Sequence, residues 1–183
     1  MKISDVVILR RGVEVTTVPY GEKMTLLPGQ EVLITQAMGA SFTLNFMGNL
    51  VYLDGKDADA INREIILLPS DKANIQKGDE VNLNLLWDQL RTVYDPEIPV
   101  NIVELGLIYD ISTTRLDSGN YHVGVQMTLT APGCGMGPVL VQNIEDKLKQ
   151  FVNIEESDVV LVFDPPWNSE MMTEEAKLEL GLF

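Results

Sequence analysis

The chain changes its hydrophobic rhythm near its middle. Up to about residue 66, short runs of apolar and polar residues alternate between closely spaced turns. Val6–Leu9, Val13–Val18, Met24–Leu27, Val32–Thr35, Ser41–Phe46 and Leu50–Leu53 read as strands. Gly12, Pro28-Gly29, Gly39, Gly48-Asn49 and Asp54-Gly55 separate them. Regular spacing of this kind predicts a small antiparallel barrel or sandwich. The stretch Gly55-Lys56-Asp57-Ala58-Asp59-Ala60 reads as a solvated turn in preference to an interaction loop, because charge runs mostly solvate. The pattern breaks at Leu68-Pro69-Ser70-Asp71-Lys72 and again at Lys77-Gly78-Asp79. The expected domains are therefore a small all-β domain over 1–75 and a second domain over 79–183.

The second half has a mixed rhythm. Leu83, Leu86, Trp87, Leu90 and Val93 predict one face of a helix over Glu80–Val93, with Trp87 in the core. Pro96 ends it. Val103–Ile111 leads into a strand, Leu116–Asn120 turns it back, and Tyr121–Thr130 returns as a hairpin partner. Val139, Leu140, Ile144, Leu148 and Phe151 recur at helical spacing over Pro138–Gln150. Val159–Phe163 is apolar throughout and reads as a central or well-covered strand. Thr173 can cap a short last helix, with Glu174 and Glu175 in its first turn and Gly181 just past its end. The fold class is α+β: a two-layer α-β-β-α-β C-terminal domain with a three-stranded sheet, plus the N-terminal β domain.

Composition narrows the function. Among 183 residues there are 27 acids and 13 lysines or arginines, a net charge of −14. Such a surface repels phosphate backbones and anionic membrane faces, so neither nucleic acid nor membrane is an expected partner. No apolar run approaches the length of a membrane span and no signal-peptide core follows Met1. One cysteine forms no internal disulfide. A cytoplasmic protein is the expectation.

That cysteine is the chemical focus. Cys134 falls between a strand and a helix, flanked by Gly133, Gly135 and Gly137, so no neighbouring Cβ shields the thiol. Pro138 suits the first helical position, and a helix N-terminus favours thiolate over thiol. A buried core cysteine would not need three glycines around it. Upstream, Asp95-Pro96-Glu97-Ile98-Pro99 holds two carboxylates on a segment stiffened by two prolines. It reads equally as a helix stop with solvated acids and as a rigid site for a metal or a partner. His122 lies seven residues before Leu129 on the same strand, roughly 20 Å or more from Cys134 at about 3.3 Å per residue. It is read as a solvent-facing strand residue, and a Cys–His catalytic pair is not expected.

Four blocks carry a resemblance: Asp95–Pro99, Val103-Glu104-Leu105-Gly106-Leu107-Ile108-Tyr109, Met127-Thr128-Leu129-Thr130-Ala131-Pro132-Gly133-Cys134, and Asp164-Pro165-Pro166-Trp167. In this order they resemble the metal–sulfur cluster assembly domain family, over about Glu80–Thr173. The N-terminal half, notably Gly39–Thr43 and Gly48–Leu50 with Gly55–Ala60, is similar to an extension found in one branch of it. The resemblance implies an auxiliary, non-enzymatic role in iron–sulfur protein maturation. Cys134 would be the reactive residue and a transient metal ligand, with Asp95 and Thr130 in the same site. Glu97 joins them as a second carboxylate able to offer iron an oxygen. No cofactor would be permanently bound, since clusters are typically held by four thiolates and the chain supplies one. A transient iron or iron–sulfur cluster would be shared across a homo-oligomer or completed by a partner. The partners implied are the iron–sulfur assembly machinery and recipient apo-proteins. A thiol-dependent enzyme and a metal-free protein-interaction adaptor are the alternatives.

Overall fold

The computed structural model describes residues 2–95, 97–131, 133 and 135–182. It divides into two compact units, Met1–Leu68 and Pro69–Phe183. Residues 69–75, which the sequence pattern assigns to the β domain, therefore go with the second unit.

In the first unit, alternation produces strands where it predicts them. They are β1 (Lys2–Ile8), β2 (Val13–Thr17), β3 (Lys23–Leu26), β4 (Glu31–Met38), β5 (Ser41–Phe46) and β6 (Asn49–Asp54). They form one antiparallel six-stranded sheet in the order β1-β4-β5-β6-β2-β3, with β1 and β3 at its ends. One continuous sheet stands in place of the two packed sheets of a sandwich. Leu26, Ile34, Leu44, Val51 and Leu53 are fully buried on it.

The charged stretch after β6 is not a solvated turn. Gly55–Ile61 forms a 3-10 helix that buries Ala58, Ala60 and Ile61 in the same core. Its acids face the other way, where Arg11 neutralises them. Arg11 Nε donates to Asp59 at 2.8 Å, and its Nη2 reaches Asp59 at 2.6 Å and Asp57 at 2.8 Å. This fork holds the Arg11 guanidinium above its ordinary pKa and the Asp59 carboxyl below its own. The interleaving of acids at 57 and 59 with apolar residues at 58, 60 and 61 explains both faces.

The second unit runs α1 (Pro69–Lys72), α2 (Leu83–Leu90), β7 (Ile108–Arg115), β8 (Tyr121–Met127), α3 (Gly137–Leu148), β9 (Ile154–Leu161), a 3-10 turn at Ser169–Met171 and α4 (Glu174–Glu179). The three strands form a sheet in the order β7-β8-β9. β7 and β8 make the hairpin, and α3 carries the chain from β8 to a parallel β9. Leu86 and Leu90 of α2, Val123, Val125 and Met127 of β8, and Leu140, Ile144 and Leu148 of α3 fill one core. Thr173 caps α4 by accepting from the Ala176 N–H, and Gly181 follows it at φ +70°. Among the described residues no helix is long and apolar enough to cross a membrane.

Two expectations change here. β9 is an edge strand: Val159 and Leu161 turn toward the core, while Val160 points out at 48% exposure. An unbroken apolar run thus covers both a packed and an open face. On α2, Leu83 is exposed and Trp87 only half-buried, while Gln89 is wholly buried. Gln89 exchanges hydrogen bonds with Ser70 at 3.0 and 3.1 Å and donates to the Lys147 carbonyl at 3.3 Å. A satisfied buried amide ties α1 to α2 and to the end of α3, which is why residues 69–72 belong to this unit.

Candidate functional site

The four motif blocks meet at one end of the three-stranded sheet, where β8 and β9 finish and α3 begins. The Ile102 N–H returns to the Val93 carbonyl at 3.0 Å, so the first block is a closed turn beside the second. Ile108 pairs with Met127, and the Thr128 N–H donates to the Leu107 carbonyl at 2.8 Å, joining the second block to the third. The Val162 N–H donates to the Met127 carbonyl at 2.8 Å, joining the third to the segment that leads into the fourth. The fourth closes back on the second. Trp167 Nε1 donates to the Leu105 carbonyl and the Tyr109 hydroxyl to the Pro165 carbonyl, both at 2.8 Å. Gly106, at φ +72°, lies so close to Met171 that a Cβ would overlap its carbonyl; only glycine fits there.

Asp95 is 5% exposed. Its Oδ1 accepts the N–H groups of Glu97 at 2.8 Å and Ile98 at 2.9 Å. Burial pushes its carboxyl above the ordinary range. The two N–H groups pull the other way, and the charge of Glu97 adds to the rise. Glu97 shares this turn and is exposed. Six residues on, Asn101 repeats the arrangement, its Oδ1 accepting from Val103 at 3.1 Å and Glu104 at 3.0 Å.

Thr130 is half-buried in the bend after β8. Among the described residues no hydrogen bond joins it to Asp95 or Glu97. Two residues earlier, Thr128 is fully buried and its Oγ1 has no hydrogen-bond partner. Cys134 lies outside the described residues, but both flanks of its loop are described. Gly133 takes φ +81°, a conformation that favours glycine. Gly135 has open space where a Cβ would stand, and one on Gly137 would meet Leu129 Cδ1 at 2.9 Å. The residue before α3, Met136, makes no side-chain cap, so the first N–H groups of α3 are not held by that side chain. Among the described residues no three His, Cys, Asp or Glu side chains are grouped to hold a metal ion.

His122 is not simply solvent-facing. Its Nε2 lies 2.5 Å from Asp158 Oδ1, across the β8–β9 pairing. Sequence reasoning also passed over Asn101 and the clamp made by Tyr109 and Trp167. The asparagine could have been found from its offset to an acid doing the same backbone task.

The family model for iron–sulfur cluster assembly proteins matches residues 86–162, all within the second unit. A Porphyromonas gingivalis protein named Fe-S protein maturation auxiliary factor is 45% identical over 92 residues, which are 50% of this chain and 84% of that protein. The chain belongs to this iron–sulfur cluster assembly family. A second family member, the Fe-S protein maturation auxiliary factor SufT of Staphylococcus aureus, is 39% identical over 90 residues, 49% of this chain and 98% of its own length. A unit the size of residues 1–68 therefore has no counterpart in that SufT. A crystal structure of a domain of unknown function from Bacillus anthracis aligns at a TM-score of 0.50 and 37% identity, over 55% of this chain and 92% of that one.

Proposed function

We propose that this protein is an auxiliary factor in iron–sulfur protein maturation, acting through Cys134. The observation that supports the reading is that the block ending at this cysteine is hydrogen-bonded at Thr128 to the second block and at Met127 to the segment that leads into the fourth. Packing alone would not require a uncapped helix start and a left-handed glycine beside a lone thiol. Cys134 lies three residues before Gly137, the first residue of α3, where the helix N-terminus favours the thiolate. Asp95 and Glu97 offer oxygen ligands from the neighbouring block, and Thr130 belongs to the same loop.

A four-thiolate cluster needs three more thiolates than this chain has. The cluster is therefore cargo, held briefly and completed by a second copy, the assembly machinery or the recipient apo-protein. On this reading the protein is a cytoplasmic accessory factor and not an enzyme. A thiol enzyme would need a base, and the single imidazole is engaged by Asp158.

The test is complementation of a deletion strain by Cys134→Ser, with melting curves in parallel. Serine stays protonated at neutral pH and is a poor cluster ligand, so a normally folded variant should leave iron–sulfur enzyme activities low. Full complementation by the folded serine variant would remove Cys134 from the mechanism and leave a metal-free adaptor role.

A further inference from the structure

A pocket lies at the end of the same sheet where β9 begins. It holds about 140 Å3 beneath the segment that leads into α2. Val81, Leu85 and Phe151 give it apolar walls, and Asn153, Asp79, Glu80, Asn74 and Asn82 supply its polar lining. Asn153 directly precedes β9, whereas the Met127–Val162 hydrogen bond lies at the strand's other end. The eight residues of β9, at about 3.3 Å each, set the pocket about 26 Å from that hydrogen bond.

Asn153 is the informative residue. It is 2% exposed, and its Nδ2 donates to the Asp79 carbonyl at 3.0 Å. Its Oδ1 is buried with no hydrogen-bond partner. A buried orphan acceptor is costly, so it points to a donor that arrives from outside. The two carboxylates of the lining want the same thing. Asp79 spends one carboxylate oxygen on the Gln76 N–H at 2.8 Å, and Glu80 has no hydrogen-bond or ion-pair partner among the described residues. Both acids are exposed. The cation nearest in sequence, Lys77, acts instead on Glu155.

We propose that this pocket receives a lysine side chain presented by a partner protein. Water alone would satisfy Asn153 but would fill the apolar walls with several molecules at about 30 Å3 each. A lysine matches the apolar walls and the acceptors together. Its butyl stem lies along Val81, Leu85 and Phe151. Its ammonium carries three donors and no acceptor, and these meet the Asn153 amide oxygen and the Asp79 and Glu80 carboxylates. An ammonium also turns freely to acceptors that are not coplanar, which a guanidinium fork does not. The net charge of −14 draws basic segments toward the whole molecule.

The experiment titrates the isotope-labelled full chain with Nα-acetyl-lysine N-methylamide and, separately, with its norleucine analogue, which has the same stem and no ammonium. The expected result is a saturable shift of the Asn153 side-chain amide and the Leu85 methyl signals with the lysine compound, and at least ~10-fold weaker binding of the norleucine compound. Glu80→Lys, at an exposed position, should abolish the lysine response while melting remains unchanged. Equal binding of the two compounds would reduce the site to an apolar cavity and overturn the proposal. So would the absence of any saturable shift, or a lysine response that Glu80→Lys leaves intact. None of these outcomes depends on Cys134, so this site and the maturation role stand or fall separately.

Discussion

Asp95 and Asn101 do the same backbone work six residues apart. Each is 5% exposed, and each uses one side-chain oxygen to accept the N–H groups two and three residues ahead. They differ only in chemistry. Asn101 meets the need with a neutral amide. Asp95 meets it with a carboxylate that burial disfavours. For the turn alone, asparagine would serve at both positions, and residue 101 demonstrates that it can. The acid at 95 therefore carries a cost that the backbone does not require. Titratable groups held at such a cost cluster at functional sites, and this one sits in the block that directly precedes the one hydrogen-bonded to Thr128 through the Leu107 carbonyl. The comparison separates what a motif residue does for the fold from what it is kept for.

Removing both side chains should show the shared part. Asp95→Ala and Asn101→Ala each strand two backbone N–H groups and should each cost about 2 kcal/mol in chemical denaturation. A much smaller loss at 95 would mean that the turn does not depend on its carboxylate.

Exchanging the chemistries should show the difference. Asn101→Asp buries a new carboxylate and should lower stability by about 1–2 kcal/mol at pH 7. Asp95→Asn should be neutral or stabilising there. The sign follows from burial. Because the folded carboxyl of Asp95 titrates above its unfolded value, the native state holds the extra proton between the two values. This group's contribution to stability therefore falls as pH rises through that window and is constant above it. The advantage of Asp95→Asn over the parent should appear above the window and vanish below the unfolded value near pH 4. Melting both proteins across pH measures it directly.

The smallest effects sharpen the comparison at the cysteine loop itself. Gly133 is held at φ +81°, so Gly133→Ala should cost about 1 kcal/mol. Gly135 has open space around it, and Gly135→Ala should change stability by less than ~0.5 kcal/mol. If Gly135→Ala nevertheless slows thiol alkylation across pH, the open approach to Cys134 is functional. Unchanged alkylation would make that openness incidental.

Local rhythm carried much of the fold into view. The six strands of the first unit were legible because short apolar runs recur between closely spaced turns, with alternate residues buried in β2 and β4. The cap of α4 was legible because Thr173 and Gly181 have jobs that depend on nothing distant. What escaped depended on contacts far apart in the chain. Gln89 hides in a helical stripe because its partners are Ser70 and the end of α3. The acids at 57 and 59 looked solvated because Arg11 is more than forty residues away. β9 looked central because an apolar run does not reveal which of its residues face out. At the candidate site the motif blocks were visible, but the clamp of Trp167 on Leu105 and Tyr109 on Pro165 spans 62 and 56 residues and leaves no local spacing. The acid-for-amide contrast needed both turns to be seen together.

The most direct measurement of the central claim is complementation by Asp95→Asn. The variant keeps an oxygen acceptor for the Glu97 and Ile98 N–H groups and removes only the ionisable acid. In a deletion strain it should fail to restore iron–sulfur enzyme activities, while the purified protein melts at or slightly above the parent temperature at pH 7. Full restoration by a stably folded Asp95→Asn protein would contradict the account, leaving Asp95 with the same purely structural task as Asn101.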